Sequence, residues 1–236
     1  MNKKTKEKIK NILKRIPYIR DSVLRHDNSF YYQLEKIIMK KGEIFFIQIG
    51  ACDGIIADPI YSFMMSHNCS GILVEPIAYL FERLKKNYAG KTGLVFENAA
   101  ISDKDEIRDF YCVSTSFKET GFRKAYWEGL GSLVRRPDLP GIEKYIRIEK
   151  VKCLSYASLI KKHNVKELDL LVIDTEGYEY EILKQVPLVG IKPKVIFYEY
   201  KCLEAKVQES CRHLLEKEGY AVKKFYNSGD SFCILR

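Results

Sequence analysis

The feature that most constrains this chain is a series of five short apolar runs: Ile44–Ile49, Gly71–Val74, Leu94–Asn98, Leu168–Ile173 and Lys194–Tyr198. Each closes on a glycine, an asparagine or an acid. Runs this short and this apolar suit strands buried on both faces of a parallel sheet. Amphipathic helical patterns alternate with them at Pro59–Ser66, Ala78–Tyr88, Tyr156–His163, Tyr178–Gln185 and Glu204–Glu218. Such a βα rhythm predicts an α/β fold. The end of the chain departs from the rhythm: Tyr220 to Arg236 reads as two strands joined at Asn227-Ser228-Gly229-Asp230, an antiparallel hairpin closing one edge. No internal repeat interrupts the pattern.

A chain of 236 residues, 46% hydrophobic and 30% charged, is long enough for one sizeable core. Its seven cysteines are scattered with no C-x-x-C pair, which indicates neither a disulfide framework nor a zinc site and fits a reducing cytoplasm. No apolar stretch reaches the roughly 20 residues that span a bilayer, and the N-terminus lacks a signal-type apolar core. The charge is placed unevenly: residues 1–25 hold nine lysines and arginines against Glu7 and Asp21, +7 of the chain's formal +9. Ile9, Ile12, Leu13, Ile16 and Ile19 recur there at helical spacing. Residues 1–43 therefore read as a basic amphipathic segment ahead of a domain at 44–236. Residues 1–25 suit an anionic membrane surface, an acidic protein partner, or a solvated helix capping the domain. The near-neutral remainder counts against nucleic acid.

Between Ser114 and Gly141 the chain is long, punctuated by glycine, and rich in aromatics and arginines, with the single Trp127 beside Phe122 and Tyr126. Disordered segments are poor in aromatics, so an ordered lid is expected.

The strand ends carry the chemistry. Open α/β sheets bind ligands at the carboxyl ends of their strands, where glycines let a ligand approach the backbone. Gly50 and Gly54 meet that need, but no third glycine completes a dinucleotide fingerprint, and Asp53 between them disfavours phosphate. Glu75, followed by Pro76, stands where a carboxylate accepts ribose hydroxyls. The Asn98 amide, with the Ala99 backbone, can read an adenine edge or close an Asx turn. Asp174 and Glu176 cluster after the fourth run and Glu199 ends the fifth. Strands about 4.8 Å apart would bring Asp174 and Glu199 together, where they must bind a cation or titrate. Helix capping would account for one of these acids, not for three.

The motifs "IGACDG", "LVEPIAYLFERLKKN", "ENAAISD", "GLGSL" and "LDLLVIDTEGYEYEIL" resemble those of the FkbM-type S-adenosylmethionine-dependent methyltransferases, over roughly Ile44 to Glu199. The resemblance implies a class I methyltransferase (Rossmann-like) fold, a seven-stranded, mostly parallel sheet whose last pair is the hairpin. It also implies that Asp53 and the glycines at 50 and 54 hold the methionine part of the cofactor. Glu75 would hold the ribose and Asn98 to Ala100 the adenine, with Gln48, Ala51, Pro76, Ala99 and Asp174 bordering the same ligand. Gln48 and Cys52 stand where many members have other residues, and the lid matches only in "GLGSL".

Methyl transfer to a hydroxyl requires alignment and removal of a proton. The candidate catalytic residues are Asp174, Glu199 and Glu176. Asp174 or Glu199 would act as base, or the two would share Mg²⁺. His163, at the end of a helical pattern, suits a C-terminal charge role. "DTEG" does not match the D/N-P-P-Y/F signature of base-amine methylases, so oxygen is the expected acceptor atom. The family points to a sugar or glycan hydroxyl, with Tyr126 and Trp127 stacking on a sugar face. Ser132, Arg123, Arg135 or Arg136 would meet its polar groups. A lipid-linked glycan at the cytoplasmic membrane face would suit the basic N-terminus. The competing readings are a nucleic-acid or small-molecule methyltransferase and a cofactor-binding module without catalysis.

Overall fold

The computed structural model describes residues 29–56, 58–114, 116–117, 127–135, 141–225 and 229–236. The basic stretch 1–28 and much of the expected lid, including Phe122, Arg123, Tyr126 and Arg136, lie outside them.

The chain forms α1 (Ser29–Lys41), β1 (Ile44–Ile49), α2 (Tyr61–Ser66), β2 (Cys69–Val74), α3 (Ala78–Asn87) and β3 (Leu94–Glu97). It continues through β4 (Ala100–Ser102), β5 (Glu106–Val113), β6 (Ile146–Ser155), α4 (Tyr156–Lys162), β7 (Leu170–Ile173) and α5 (Glu179–Leu183). It ends with β8 (Val195–Glu199), α6 (Ala205–Lys217), β9 (Tyr220–Phe225) and β10 (Asp230–Leu235). The five apolar runs are thus strands, within two residues of the expected ends. The main sheet has the order β3-β2-β1-β7-β8-β10-β9. The first five strands pair in parallel, and β10 runs antiparallel between β8 and β9. This is the class I methyltransferase arrangement, with the C-terminal hairpin at the edge.

Each central strand is buried on both sides because its alternate residues enter different cores. Ile47, Ile49, Ile72, Val74, Leu171, Ile173, Ile196 and Tyr198 face α4, α5 and α6. Phe46, Leu73, Leu170, Val172, Val195 and Phe197 face α1 and α2. Helix α1 belongs to this core, with Phe30, Tyr31 and Leu34 at most 2% exposed. A boundary at residue 43 therefore separates α1 from the sheet it covers. Charge patterning could not reveal that, because the packing face of α1 becomes visible only against β8 and β10: the Phe30 ring lies 4.8 Å from that of Phe197 and 6.1 Å from that of Phe232. His67 also anchors α1, its Nε2 lying 3.0 Å from Glu35.

A second sheet, in the order β4-β6-β5, was not expected. Its inner residues Phe110, Cys112, Val151 and Cys153 join the core of α4 to α6. The register pairs Asp109 with Lys150 on its outer face. It supplies a wall beside the strand ends and carries the segment 129–133, through a bridge between Tyr111 and Ser132. All seven cysteines are free thiols. No helix among the described residues is long and apolar enough to cross a membrane.

Candidate functional site

Strand order reverses between β1 and β7, which places a crevice outside their carboxyl ends. A cavity of about 250 Å³ occupies it.

The first turn forms the floor. Gly50 has φ +81°, and a Cβ there would sit 1.7 Å from the Asp174 carbonyl oxygen, so only glycine lets β1 and β7 end side by side. Gly54 is required for a different reason: a Cβ would strike Leu84 of α3 and Tyr88 at its end, at 2.5 and 2.6 Å. It is packed beneath that helix and does not line the cavity, whereas Gln48, Gly50, Ala51 and Cys52 do.

Asp53 departs from its expected role and is not among the lining residues. Its Oδ1 accepts the backbone N–H groups of Ile55 and Ile56, and its Oδ2 accepts Arg83 Nη2 at 2.9 Å. Arg83 donates its other nitrogen to Glu128 at 2.8 Å. Asp53 therefore ties the turn to α3 and to the segment at Glu128. The partner that claims its charge lies 30 residues away, beyond any spacing argument.

The acceptor missing from Asp53 is provided nearby. Gln48 donates its Nε2 to Asp58 at 2.9 Å, while its Oε1, buried in the cavity wall, has no partner. Asp58 caps α2 by accepting Ile60 N–H and Tyr61 N–H. Burial pushes its carboxyl up to about 6. Sequence reading missed Asp58, which looks like an ordinary loop acid.

Glu75 lines the cavity and is only 4% exposed. Its two oxygens accept Cys52 N–H at 2.9 Å and Ile77 N–H at 2.8 Å, which fixes the carboxyl at the strand end. Burial, reinforced by Asp53, pushes it up to about 8. Pro76, Ala99 and Ala100 line the same wall. Asn98 does not: its amide donates to the carbonyls of Glu75 and Pro76 at 2.8 and 3.0 Å. It locks the ends of β2 and β3 together, and so braces this wall instead of facing the cavity.

The opposite wall comes from the second sheet and from "GLGSL". Phe110, Leu130, Leu133 and Tyr178 line it. Gly131 must lack a Cβ, which would lie 2.5 Å from the Phe110 ring. The substrate residues expected in this segment are placed elsewhere. Trp127 stands edge-on to Phe117 at 5.9 Å in a small satellite core, Ser132 is buried in its bridge to Tyr111, and Arg135 is exposed. None of the three lines the cavity. Aromatic content does not say which way the rings of Phe117 and Trp127 pack.

At the ends of β7 and β8 the acids do come together. Asp174, Glu176 and Glu199 all line the cavity, and Asp174, Glu179 and Glu199 each place an oxygen within 4.8 Å of the others. Burial first, then the neighbouring Glu199 and Glu176, holds the Asp174 carboxyl well above the ordinary range. The turn ahead of α5 is held by Glu179, which sequence reading passed over, and no side chain caps that helix. Glu179 is fully buried, accepts Thr175 N–H, Thr175 Oγ1–H and Gly177 N–H, and is pushed up to about 7. Lys201, also missed, lines the cavity and is ion-paired with Glu199 Oε1. Cys202 Sγ lies 3.1 Å from Glu176 Oε2 and 3.2 Å from Glu199 Oε2. His163 pairs with Glu97 at 3.1 Å, off the cavity.

With this geometry in place, the comparisons with known proteins are decisive. A family model described as the methyltransferase FkbM domain matches residues 48–222. The chain belongs to the FkbM methyltransferase family. No protein of curated function matches the sequence. Among solved structures, the methyltransferase FkbM from Methylobacillus flagellatus KT aligns over 81% of this chain at 9% identity, with a TM-score of 0.51. This chain spans 43% of that longer one. The fibrillarin pre-rRNA processing protein of Methanococcus jannaschii aligns over 82% of this chain and 66% of its own at 9% identity, with a TM-score of 0.45. The likeness to the first shows a shared fold.

S-adenosylmethionine, the cofactor of such methyltransferases, suits what the FkbM domain offers here. The orphaned Gln48 Oε1 and the Asp58 carboxyl would answer an ammonium and Glu75 a pair of hydroxyls, while Gly50 leaves the backbone open. A proton-linked binding reaction follows. Glu75, pushed up to about 8, is largely protonated at pH 7 in the empty site, and hydroxyl donors favour its ionised form. Cofactor binding at pH 7 is expected to release up to about one proton, read from the dependence of the binding enthalpy on buffer ionisation enthalpy. Glu75→Gln should remove most of that dependence, and a wild-type enthalpy indifferent to buffer would contradict it.

Proposed function

We propose that this FkbM domain is an S-adenosylmethionine-dependent O-methyltransferase whose acceptor is a hydroxyl of a sugar or glycan. The observation that carries the reading is the pair Asp174 and Glu199 at the cavity end of adjacent parallel strands, with Glu199 held by Lys201. The cofactor supplies a methyl group on a cationic sulfur that departs as a neutral thioether. The chain's own residues do the rest. Glu199, held by Lys201 at one oxygen and by the Cys202 thiol at the other, takes the proton as the acceptor oxygen bonds to the methyl carbon. Asp174, favoured in its protonated form by burial, donates a hydrogen bond and leaves Glu199 as the base. The hydrophobic wall of Phe110, Leu130 and Leu133 excludes water from the other end of the cavity.

A pole of carboxyl groups suits a polyhydroxylated acceptor, which offers several donors. The basic residues 1–25 suit an acceptor displayed on an anionic membrane face, and so a lipid-linked glycan. A nucleic-acid acceptor is disfavoured by the near-neutral charge of the remaining chain, and a non-catalytic module would not need both acids. The first test is calorimetric titration with S-adenosylmethionine and S-adenosylhomocysteine, with and without Mg²⁺ and chelator. Transfer of a labelled methyl group to nucleotide sugars and lipid-linked glycans follows. Binding in the micromolar range with label in a glycan supports the reading, and binding of neither cofactor form removes it.

A further inference from the structure

We propose that Lys201 is the resident cation of the acid cluster, occupying the place that a divalent ion would otherwise hold and positioning Glu199 for its task. The inference rests on the methyltransferase reading for the task of Glu199, but not for the place of the cation.

Four carboxyl groups, Asp174, Glu176, Glu179 and Glu199, converge at the ends of β7 and β8: one atom each of Asp174, Glu179 and Glu199 lie within 4.8 Å of one another, as do those of Glu176, Glu199 and the Cys202 thiol. Such a set repels itself unless protons or a cation intervene. Lys201 Nζ intervenes, bonded to Glu199 Oε1, and the charges of Glu176 and Asp174 act on it as well. Its placement is built into the backbone. Tyr200 N–H and Lys201 N–H both donate to the Gly229 carbonyl, at 2.7 and 3.1 Å, fastening the end of β8 to the turn before β10. Gly229 has φ +79°, and a Cβ there would lie 2.5 Å from Lys201 Cβ and 3.3 Å from its Cδ. The turn thus leaves room for the lysine stem on the side facing the acids. The Glu199 side chain is 5% exposed, against 38% for Lys201, so the carboxylate is buried and its counter-charge reaches in from the rim. Removing one partner of such a pair leaves an uncompensated buried charge, which a small hard cation can satisfy through oxygen ligands.

The experiment is a calorimetric titration of the full chain with Mn²⁺ alone, run on wild type, Lys201→Gln and Lys201→Arg. S-adenosylhomocysteine is titrated into each as a separate reading of fold and cofactor site. Wild type and Lys201→Arg are expected to bind Mn²⁺ at least about tenfold more weakly than Lys201→Gln. Wild type binding Mn²⁺ as tightly as Lys201→Gln overturns the proposal, as does a folded Lys201→Gln that gains no Mn²⁺ affinity. Should Lys201→Gln not fold, wild type decides. In a sample labelled at lysine Nζ, the Lys201 ammonium signal is expected to survive Mn²⁺, and its selective broadening overturns the assignment. Failure of S-adenosylhomocysteine to bind wild type would strike the methyltransferase reading while leaving the Mn²⁺ result to stand or fall by itself.

Discussion

Gly50→Ala is expected to abolish measurable cofactor binding, with a loss of at least about 100-fold in affinity, and to lower stability by about 3 kcal/mol. The added methyl would lie 1.7 Å from the Asp174 carbonyl oxygen, at a residue whose φ of +81° already disfavours any side chain. Relief requires β1 and β7 to separate at their carboxyl ends. That would move Gln48 and the first turn away from Glu75 and carry Asp174 out of register with Glu199. One methyl group therefore damages both the cofactor floor and the acid cluster. For a domain of this size the stability loss corresponds to roughly 10 °C in Tm. Thermal unfolding and S-adenosylhomocysteine titration measure the two effects, and Gly90→Ala is the control, because a Cβ there meets nothing within 4 Å. A Gly50→Ala protein that binds cofactor as wild type does would show that the turn is not the floor of the site.

The second large effect separates the two acids. Glu199→Gln is expected to slow methyl transfer by about 10² to 10⁴, the range for losing a positioned base, with cofactor affinity changed by less than about threefold. Asp174→Asn is expected to cost only about tenfold, because an amide replaces a carboxyl already biased toward its neutral form by burial and by Glu199. The rate of labelled methyl transfer at saturating cofactor decides the matter. Equal losses would make the pair a single unit, and a reversed order would assign the base to Asp174.

The two expectations differ in how far they could be read from the chain itself. Gly50 stands out in the sequence as a glycine closing an apolar run, and its role as floor of the site follows from the general behaviour of open α/β sheets. The division of labour between Asp174 and Glu199 does not, since it depends on Lys201, Glu179 and Cys202, which enter the cluster from α5 and from the segment after β8. Glu179 lies only three residues after Glu176, yet its bonds to Thr175 and Gly177 are visible only once the turn has its shape. Asp53 and Asn98 show the converse. Both were read as ligand contacts by their position at strand ends, and both are spent on Arg83 and on backbone carbonyls.

By itself the sequence determined the succession of main-sheet strands and the helices between them, the parallel sheet with its closing hairpin, and the strand ends where the chemistry gathers. These follow from local periodicity and from residues that terminate strands, which act over a few positions. Only the tertiary structure decided that α1 belongs to the core, that a second sheet walls the cavity, and which polar groups remain free for a ligand. Hydrogen-bonding capacity is finite, so whether a carboxylate or an amide is free depends on partners distant in sequence, 30 residues away for Asp53 and Arg83. Neither composition nor spacing carries that information; the folded chain does.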